Sequence, residues 1–163
     1  MSEVLILGAG NLLLSDEGAG VHTIRRLLET ADLPEQVQVL DGGTLGLDLL
    51  HYLEGIHYLL IVDAMETGGP PGTLRRLAGD EVPAYLSIKM SPHQIGLPDM
   101  LFAAKLRDLY PREVVIWGVQ PGSIEVGLEL TAAVAAQVDP LVEHITEELA
   151  RWGIEAGRRP GAA

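Results

Sequence analysis

Short apolar runs alternate along the chain with segments whose apolar residues recur at helical spacing. The runs are rich in branched aliphatic residues and end at Gly or Asp, a pattern typical of strands buried on both faces of a parallel sheet. Between the runs, repeats such as Val21, Ile24 and Leu28 predict amphipathic helices. The predicted strands span 4–7, 37–40, 58–62, 73–77 and 114–119, and the predicted helices span 18–29, 45–53, 97–109 and 131–152.

Alternating strands and helices predict an α/β fold: a doubly wound, mostly parallel twisted sheet of about five strands with helices on both faces. The strand at 73–77 follows a Gly- and Pro-rich loop, and we predict that it forms an antiparallel edge. Pro140 either kinks the last helix or starts a second helical piece. We expect a single domain over residues 1–152 and a mobile C-terminal tail over residues 153–163.

The composition excludes several classes of protein. The 163 residues include 23 Asp and Glu against 11 Lys and Arg, which gives a net charge of −12, and there is no cysteine. A disulfide scaffold, a thiolate metal site and a cysteine nucleophile are therefore impossible. The acid excess argues against nucleic acid or an anionic membrane surface as a partner. No apolar run approaches the roughly 20 residues of a membrane span, and no signal-peptide pattern opens the chain, so we expect a cytoplasmic protein.

Ligands of open α/β sheets bind beyond the carboxyl ends of the strands, and that rule selects four segments, 8–17, 41–44, 63–66 and 119–123. The first segment begins with a Gly-Ala-Gly sequence that suggests a dinucleotide-binding loop. Leu13 occupies the position that the third glycine of that motif requires, and Asp16 and Glu17 would repel a pyrophosphate. A nucleotide-binding protein is therefore the less favoured alternative.

Three side chains on different strand-end segments form a candidate metal-contacting set. Glu17, Asp63 and His93 would offer two oxygen donors and one nitrogen donor, which suits a divalent transition metal. Each also has a plain structural interpretation. The helix dipole favours an acid in the first turn, Ser15 or Asp16 can cap the helix, a strand-end Asp can form a turn, and a single loop His is commonly a surface residue. Neither the G-x-S-x-G motif nor the H-E-x-x-H motif is present.

Four motifs together resemble those of one known family. The sequence GAGNLLLSDEG at 8–18 is similar to the opening motif of the [NiFe]-hydrogenase maturation endopeptidases. The other three motifs follow in the order of that family, and the resemblance extends from about residue 4 to about residue 149, nearly the whole chain. These motifs are DGGT at 41–44, DA at 63–64 and SPHQ at 91–94, with shorter matches of PGT at 71–73 and WGVQP at 117–121.

The resemblance implies a function. Enzymes of this family cut a short C-terminal extension from the precursor of the hydrogenase large subunit once nickel has been inserted. By analogy, Glu17, Asp63 and His93 would contact nickel that the substrate supplies, so the metal serves as a recognition signal. The Asp41 loop would lie near the substrate tail, and the partner would be the large-subunit precursor, bound by a monomeric enzyme. The substrate-binding residues of that loop would be Gly42, Gly43 and Thr44.

The residues leave the catalytic mechanism open. The metal could polarise the scissile carbonyl or a bound water as a Lewis acid. Alternatively a carboxylate, Asp16 or Asp41, could act as the general base toward a water, as in an aspartyl-type endopeptidase. Because no nucleophile with a neighbouring base is evident in the sequence, a non-catalytic hydrogenase-assembly chaperone is a further alternative.

Overall fold

A computed structural model of the chain describes residues 2–43, 46–88 and 96–161. Within these ranges the chain forms strands, α-helices and two 3₁₀-helices, which cover Ser15–Gly18 and Gly46–Leu53. The strands are β1 (Val4–Ala9), β2 (Ala31–Asp32), β3 (Val37–Gly43), β4 (Tyr58–Ala64), β5 (Leu74–Ala78), β6 (Glu113–Val119) and β7 (Gly157–Arg158). The α-helices are α1 (Ala19–Thr30), α2 (Glu81–Ile88), α3 (Gly96–Leu106), α4 (Ala132–Ala135) and α5 (Val138–Arg151).

The main sheet has the strand order β3-β1-β4-β6-β5. β3, β1, β4 and β6 are parallel, and β5 pairs antiparallel with β6 at the edge. This confirms the predicted mostly parallel sheet with one antiparallel edge strand. The chain leaves β1 toward β3 on one side and returns to β4 on the other side, so the strand order reverses next to β1. In open α/β sheets the crevice at such a reversal is the usual position for a ligand.

Successive residues of the strands face opposite sides of the sheet, and each side has its own buried core. Val4 and Ile6 of β1 pack beneath α1 and α5. Leu5 and Leu7 pack beneath α2, α3 and the 3₁₀-helix that ends at Leu53. Helices therefore cover both faces, as the sequence predicts. None of the helices in the described part of the chain is long and apolar enough to cross a lipid bilayer.

The helices differ from the sequence prediction in three places. The pattern does not predict α2, which is eight residues long and contains Pro83. The predicted helix at 45–53 is a 3₁₀-helix. The predicted last helix divides into α4 and α5, and the second piece begins at Val138, two residues before Pro140. The proline thus lies in the first turn of α5, where its missing N–H leaves no helical hydrogen bond unmade.

The C-terminal segment, predicted to be mobile from residue 153, forms hydrogen bonds with the end of α1 and with β2. β7 pairs antiparallel with β2. The backbone N–H and the Nε of Arg159 donate to the carbonyl oxygens of Thr30 and Ala31, each at 2.9 Å. Ile154 is buried in the same core as α5. These contacts connect residues 154–159 to α1, β2 and the core, and the mobility of the tail stays a prediction.

Two glycines allow α1 to lie directly on β1 and β4. A Cβ atom added at Gly20 would lie 2.5 Å from the carbonyl oxygen of Ala9 and would also collide with that of Val62. A Cβ atom added at Gly8 would lie 2.7 Å from the carbonyl oxygen of Gly20. Only hydrogen fits at either position, so the start of α1 is fixed at the carboxyl ends of β1 and β4.

Candidate functional site

The segment after β1 and the end of β4 meet where the strand order reverses. Gly10 follows β1 with a φ of +112°, and a Cβ atom there would collide with the carbonyl oxygen of Glu17 and lie 3.3 Å from Oδ1 of Asp63. Two of the three predicted metal-contacting residues therefore lie against the same glycine, Glu17 through its backbone and Asp63 through its carboxylate. Both are withdrawn from bulk water, since Glu17 is 8% exposed and Asp63 is 2% exposed.

Asp63 extends an alternating row of side chains along β4. Leu59 and Ile61 precede it at steps of two residues and are buried in the core that α2 and α3 cover. The two-residue period of a strand therefore directs Asp63 to the same side of the sheet. His93, the third predicted residue, belongs to the seven residues that connect α2 with α3 in the sequence, and it lies outside the described residues.

Asp41 lies at the same sheet edge but in a more open environment. It belongs to β3, and its carboxylate is 47% exposed and 4.0 Å from the guanidinium of Arg25 on α1. β3 ends with Gly42 and Gly43, which places these two predicted substrate-binding residues at the carboxyl edge of the sheet. Thr44, the third, lies outside the described residues.

Glu17 and Asp63, which meet at Gly10, are not a complete ligand set. Within residues 2–43, 46–88 and 96–161, no group of three or more His, Asp or Glu side chains lies close enough together to hold a metal ion. A third donor at this edge would have to come from a further segment of the chain or from a bound partner.

Asp16, the neighbour of Glu17, has a different environment. It is 0% exposed, and its carboxylate accepts four hydrogen bonds from the loop 122–131, which precedes α4. Oδ2 accepts from the N–H of Gly122 at 2.7 Å, the N–H of Ser123 at 3.1 Å and the hydroxyl of Thr131 at 2.7 Å. Oδ1 accepts from the N–H of Thr131 at 2.8 Å. A fully buried carboxylate with four donors is unsuited to activating water, so the geometry favours a structural role over the catalytic role predicted from the sequence.

The charge of Asp16 is maintained by these donors. Burial by itself would raise the pKa of Asp16, but the hydrogen bonds from Thr131, Gly122 and Ser123 outweigh burial and hold the pKa below its ordinary value of 3.8. The group is therefore ionised at neutral pH, and charge-assisted hydrogen bonds attach the loop 122–131 to the start of the first helical segment.

Further hydrogen bonds run alongside those of Asp16. Ser15, whose φ is +52°, donates its N–H to the carbonyl of Gly127 at 2.9 Å and its hydroxyl to the carbonyl of Glu125 at 2.7 Å. The N–H of Gly127 donates to the carbonyl of Leu13 at 2.9 Å. The alternative in which Ser15 or Asp16 caps the helix is wrong, because no side chain caps the start of the 3₁₀-helix or of α1. Both side chains bind the loop 122–131 instead.

A second buried side chain fixes the segment after β4. Gln120, which follows β6, accepts at Oε1 from the N–H of Thr67 at 2.6 Å and from its hydroxyl at 3.1 Å. Its Nε2 donates to the exposed carboxylate of Glu66 at 2.9 Å. The sequence analysis missed this contact and the contact of Asp16 with the loop. The partners Thr67 and Gln120 are 53 residues apart in the chain, so no local pattern predicts their contact. Only the rule that ligands bind at strand ends pointed to the segment that contains Gln120.

Comparisons with known proteins agree on one family. Residues 21–148 match a family model described as hydrogenase maturation protease. The chain is 40% identical over 154 residues to the hydrogenase 2 maturation protease of Escherichia coli strain K12, an alignment that covers 94% of this chain and 94% of that protein. It is 44% identical over 154 residues to the hydrogenase expression/formation protein HupD of Rhodobacter capsulatus, which covers 93% of this chain and 73% of that protein. Among solved structures, the hydrogenase maturating endopeptidase HybD from E. coli superposes with a TM-score of 0.92 at 39% identity, over 98% of both chains.

Replacing Asp16 by Ala should lower the free energy of unfolding by at least about 3 kcal/mol, because four buried or partly buried donors lose a charged acceptor. Urea denaturation at neutral pH measures this change. Glu129→Ala is the matched control, since it removes an exposed carboxylate from the same loop and should change stability by less than about 0.5 kcal/mol. Equal effects of the two substitutions would contradict the assignment.

Comparison of Asp16→Ala with the unmodified chain also gives a pH dependence of stability. Because the pKa of Asp16 is lower in the folded chain, the unfolded chain takes up the proton first as the pH falls. The stabilising contribution of the Asp16 carboxylate is therefore fully present above the ordinary pKa of 3.8 and is lost as the pH falls through the lower pKa of the folded chain. The stability difference between the unmodified chain and Asp16→Ala should shrink in that window.

Proposed function

The chain belongs to the hydrogenase maturation protease family, and we propose that it removes the C-terminal extension of a [NiFe]-hydrogenase large-subunit precursor after nickel insertion. As a maturation protease it is a hydrolase. In our proposal the nickel already held by the precursor is the recognition signal, and Glu17, Asp63 and His93 are the residues that contact it.

The convergence of Glu17 and Asp63 against Gly10 is the observation that carries this proposal. The two residues follow different strands, and the backbone carbonyl of Glu17 and the carboxylate of Asp63 lie on either side of one glycine. Both residues are buried at the reversal of strand order. Carboxylate oxygens attract a divalent cation, and this edge of an α/β sheet is where ligands bind. His93 would add a nitrogen donor, and it follows α2, which packs on the side of the sheet that Asp63 faces.

The absence of cysteine supports the proposal that the enzyme contacts the nickel of the precursor without removing it. The chain can offer only oxygen and nitrogen donors to nickel, because it contains no thiol. Such donors compete poorly with the cysteine thiolates that would hold nickel in the precursor. The metal would therefore remain with the substrate, and the enzyme could dissociate after one cleavage.

Asp41 is the general base that we propose for peptide hydrolysis. Its carboxylate is half exposed and lies on β3 beside the segment that carries Glu17, so a water can reach it. Asp16, the other sequence candidate, is occupied by its four hydrogen bonds and serves to position the segment. The competing route uses the substrate nickel as a Lewis acid that polarises the scissile carbonyl.

Purified protein should shorten a nickel-loaded large-subunit precursor and leave the nickel-free precursor intact, because only the loaded form presents the metal to Glu17 and Asp63. Mass spectrometry of the precursor C-terminus measures the product. If both forms are cut equally, the nickel-reading proposal is wrong. If the loaded precursor is bound but never cut, a chaperone role replaces the protease role.

The substitutions Glu17→Gln, Asp63→Asn and His93→Ala should each reduce cleavage of the nickel-loaded precursor by about 100-fold or more, since each removes a contact to the metal. Glu54→Gln is the matched control, because Glu54 is exposed and outside the crevice. Melting temperatures establish that the variants are folded. Cleavage at the unmodified rate by all three would refute the site.

Asp41→Asn should reduce the rate of cleavage by roughly 100- to 10,000-fold and leave the affinity for the precursor unchanged, because the amide keeps the shape but cannot accept a proton. Single-turnover kinetics with the loaded precursor separate the two quantities. A variant that cuts at the unmodified rate would exclude Asp41 and favour the Lewis-acid route.

A further inference from the structure

Four exposed apolar side chains lie on two adjoining segments beside the candidate site. They are Leu13 at 61%, Ile124 at 55%, Val126 at 89% and Leu128 at 67% exposure. Leu13 belongs to the segment between β1 and α1, and the other three belong to the loop 122–131. The N–H of Gly127 donates to the carbonyl of Leu13, which places the two neighbours of Gly127 next to Leu13. We name this set of four residues the apolar rim.

The exposure of the apolar rim comes from an ordered backbone. The loop is fixed at Gly122, Ser123 and Thr131 by the carboxylate of Asp16. It is fixed in between by the hydrogen bonds of Ser15 to the carbonyls of residues 125 and 127. Three alternate positions of the loop, 124, 126 and 128, therefore present apolar side chains to water on a backbone that hydrogen bonds hold in place. Clusters of this kind on a monomer surface mark sites of protein interaction.

The position of the rim indicates its occupant. Leu13 is four residues from Glu17, and the loop that carries the other members is bonded to the residue before Glu17. A protein whose tail enters the crevice would therefore place the adjoining part of its surface on the rim. We infer that the apolar rim docks the folded body of the large-subunit precursor next to its C-terminal extension; this inference rests on the proposed function.

Charge favours this partner over a second copy of the chain. Glu125 and Glu129 are exposed on the same loop, among the members of the rim, and the chain as a whole carries a net charge of −12. Two copies that met at this surface would bring like charges together. The partner surface that fits is apolar with Lys or Arg at its border, facing Glu125 and Glu129.

The double variant Val126→Ser/Leu128→Ser tests the inference. Both side chains are largely exposed, so the fold should be kept, and circular dichroism with a melting curve checks this. The matched control is Leu28→Ser/Leu106→Ser, which removes two exposed leucines from α1 and α3. Binding to the nickel-loaded precursor is measured by biolayer interferometry, and cleavage is measured in parallel.

The rim variant should bind the precursor about tenfold or more weakly and show a raised KM with kcat kept, whereas the control should stay within about twofold of the unmodified chain. A synthetic peptide of the extension alone should bind both variants equally, because it lacks the folded body. Equal precursor affinity of the rim variant and the control overturns the inference. A second result would also overturn it: sedimentation velocity shows that the unmodified chain is a dimer and the rim variant is not, while their affinities for the precursor are the same.

These outcomes separate the inference from the function on which it rests. If the unmodified chain binds the precursor through the rim and does not cut it, the docking surface stands and the protease proposal fails. If the unmodified chain cuts the precursor and the rim variant cuts and binds equally well, the protease proposal stands and the docking surface fails.

Discussion

The four hydrogen bonds to the carboxylate of Asp16 determine the shape of the candidate site. A buried carboxylate is costly unless donors replace the water it loses, and here three N–H groups and one hydroxyl do so. The donors stand 106 to 115 residues away in the sequence, so one side chain joins the start of the first helical segment to the loop before α4. The next residue is Glu17, whose position follows from that of Asp16.

The adjacent residues Asp16 and Glu17 thus differ in their contacts. The carboxylate of Asp16 binds the loop 122–131, whereas the backbone carbonyl of Glu17 lies against Gly10, which Oδ1 of Asp63 also approaches. Gly10 permits this contact because it has a positive φ and no Cβ atom. The close packing of α1 on Gly8 and on the strand ends sets the distance between this helix and the sheet. Close contacts between backbone segments and the buried carboxylate of Asp16 form the crevice. The residues proposed to contact the metal, Glu17 and Asp63, lie beside it.

The sequence predicts the scaffold better than the site. Continuous apolar runs identify the parallel strands, and the arginines of 73–77 agree with an exposed edge. The helix α2 is missed because it is short and contains Pro83. The pattern also misses the loop 122–131, because its apolar residues are exposed and its hydrogen-bond partners lie more than 100 residues away in the sequence.

The roles of neighbouring residues are harder to predict than their presence. Asp16 and Glu17 look equivalent in the sequence, and only the structure shows that the carboxylate of Asp16 is bonded to Gly122, Ser123 and Thr131. The most direct test of the account is nickel K-edge X-ray absorption on the loaded precursor, alone and frozen with this protein within the first turnover. The account predicts added oxygen or nitrogen ligands in the complex and none with the double variant Glu17→Gln/Asp63→Asn. An unchanged nickel environment in the complex, or the same change with the double variant, would contradict it.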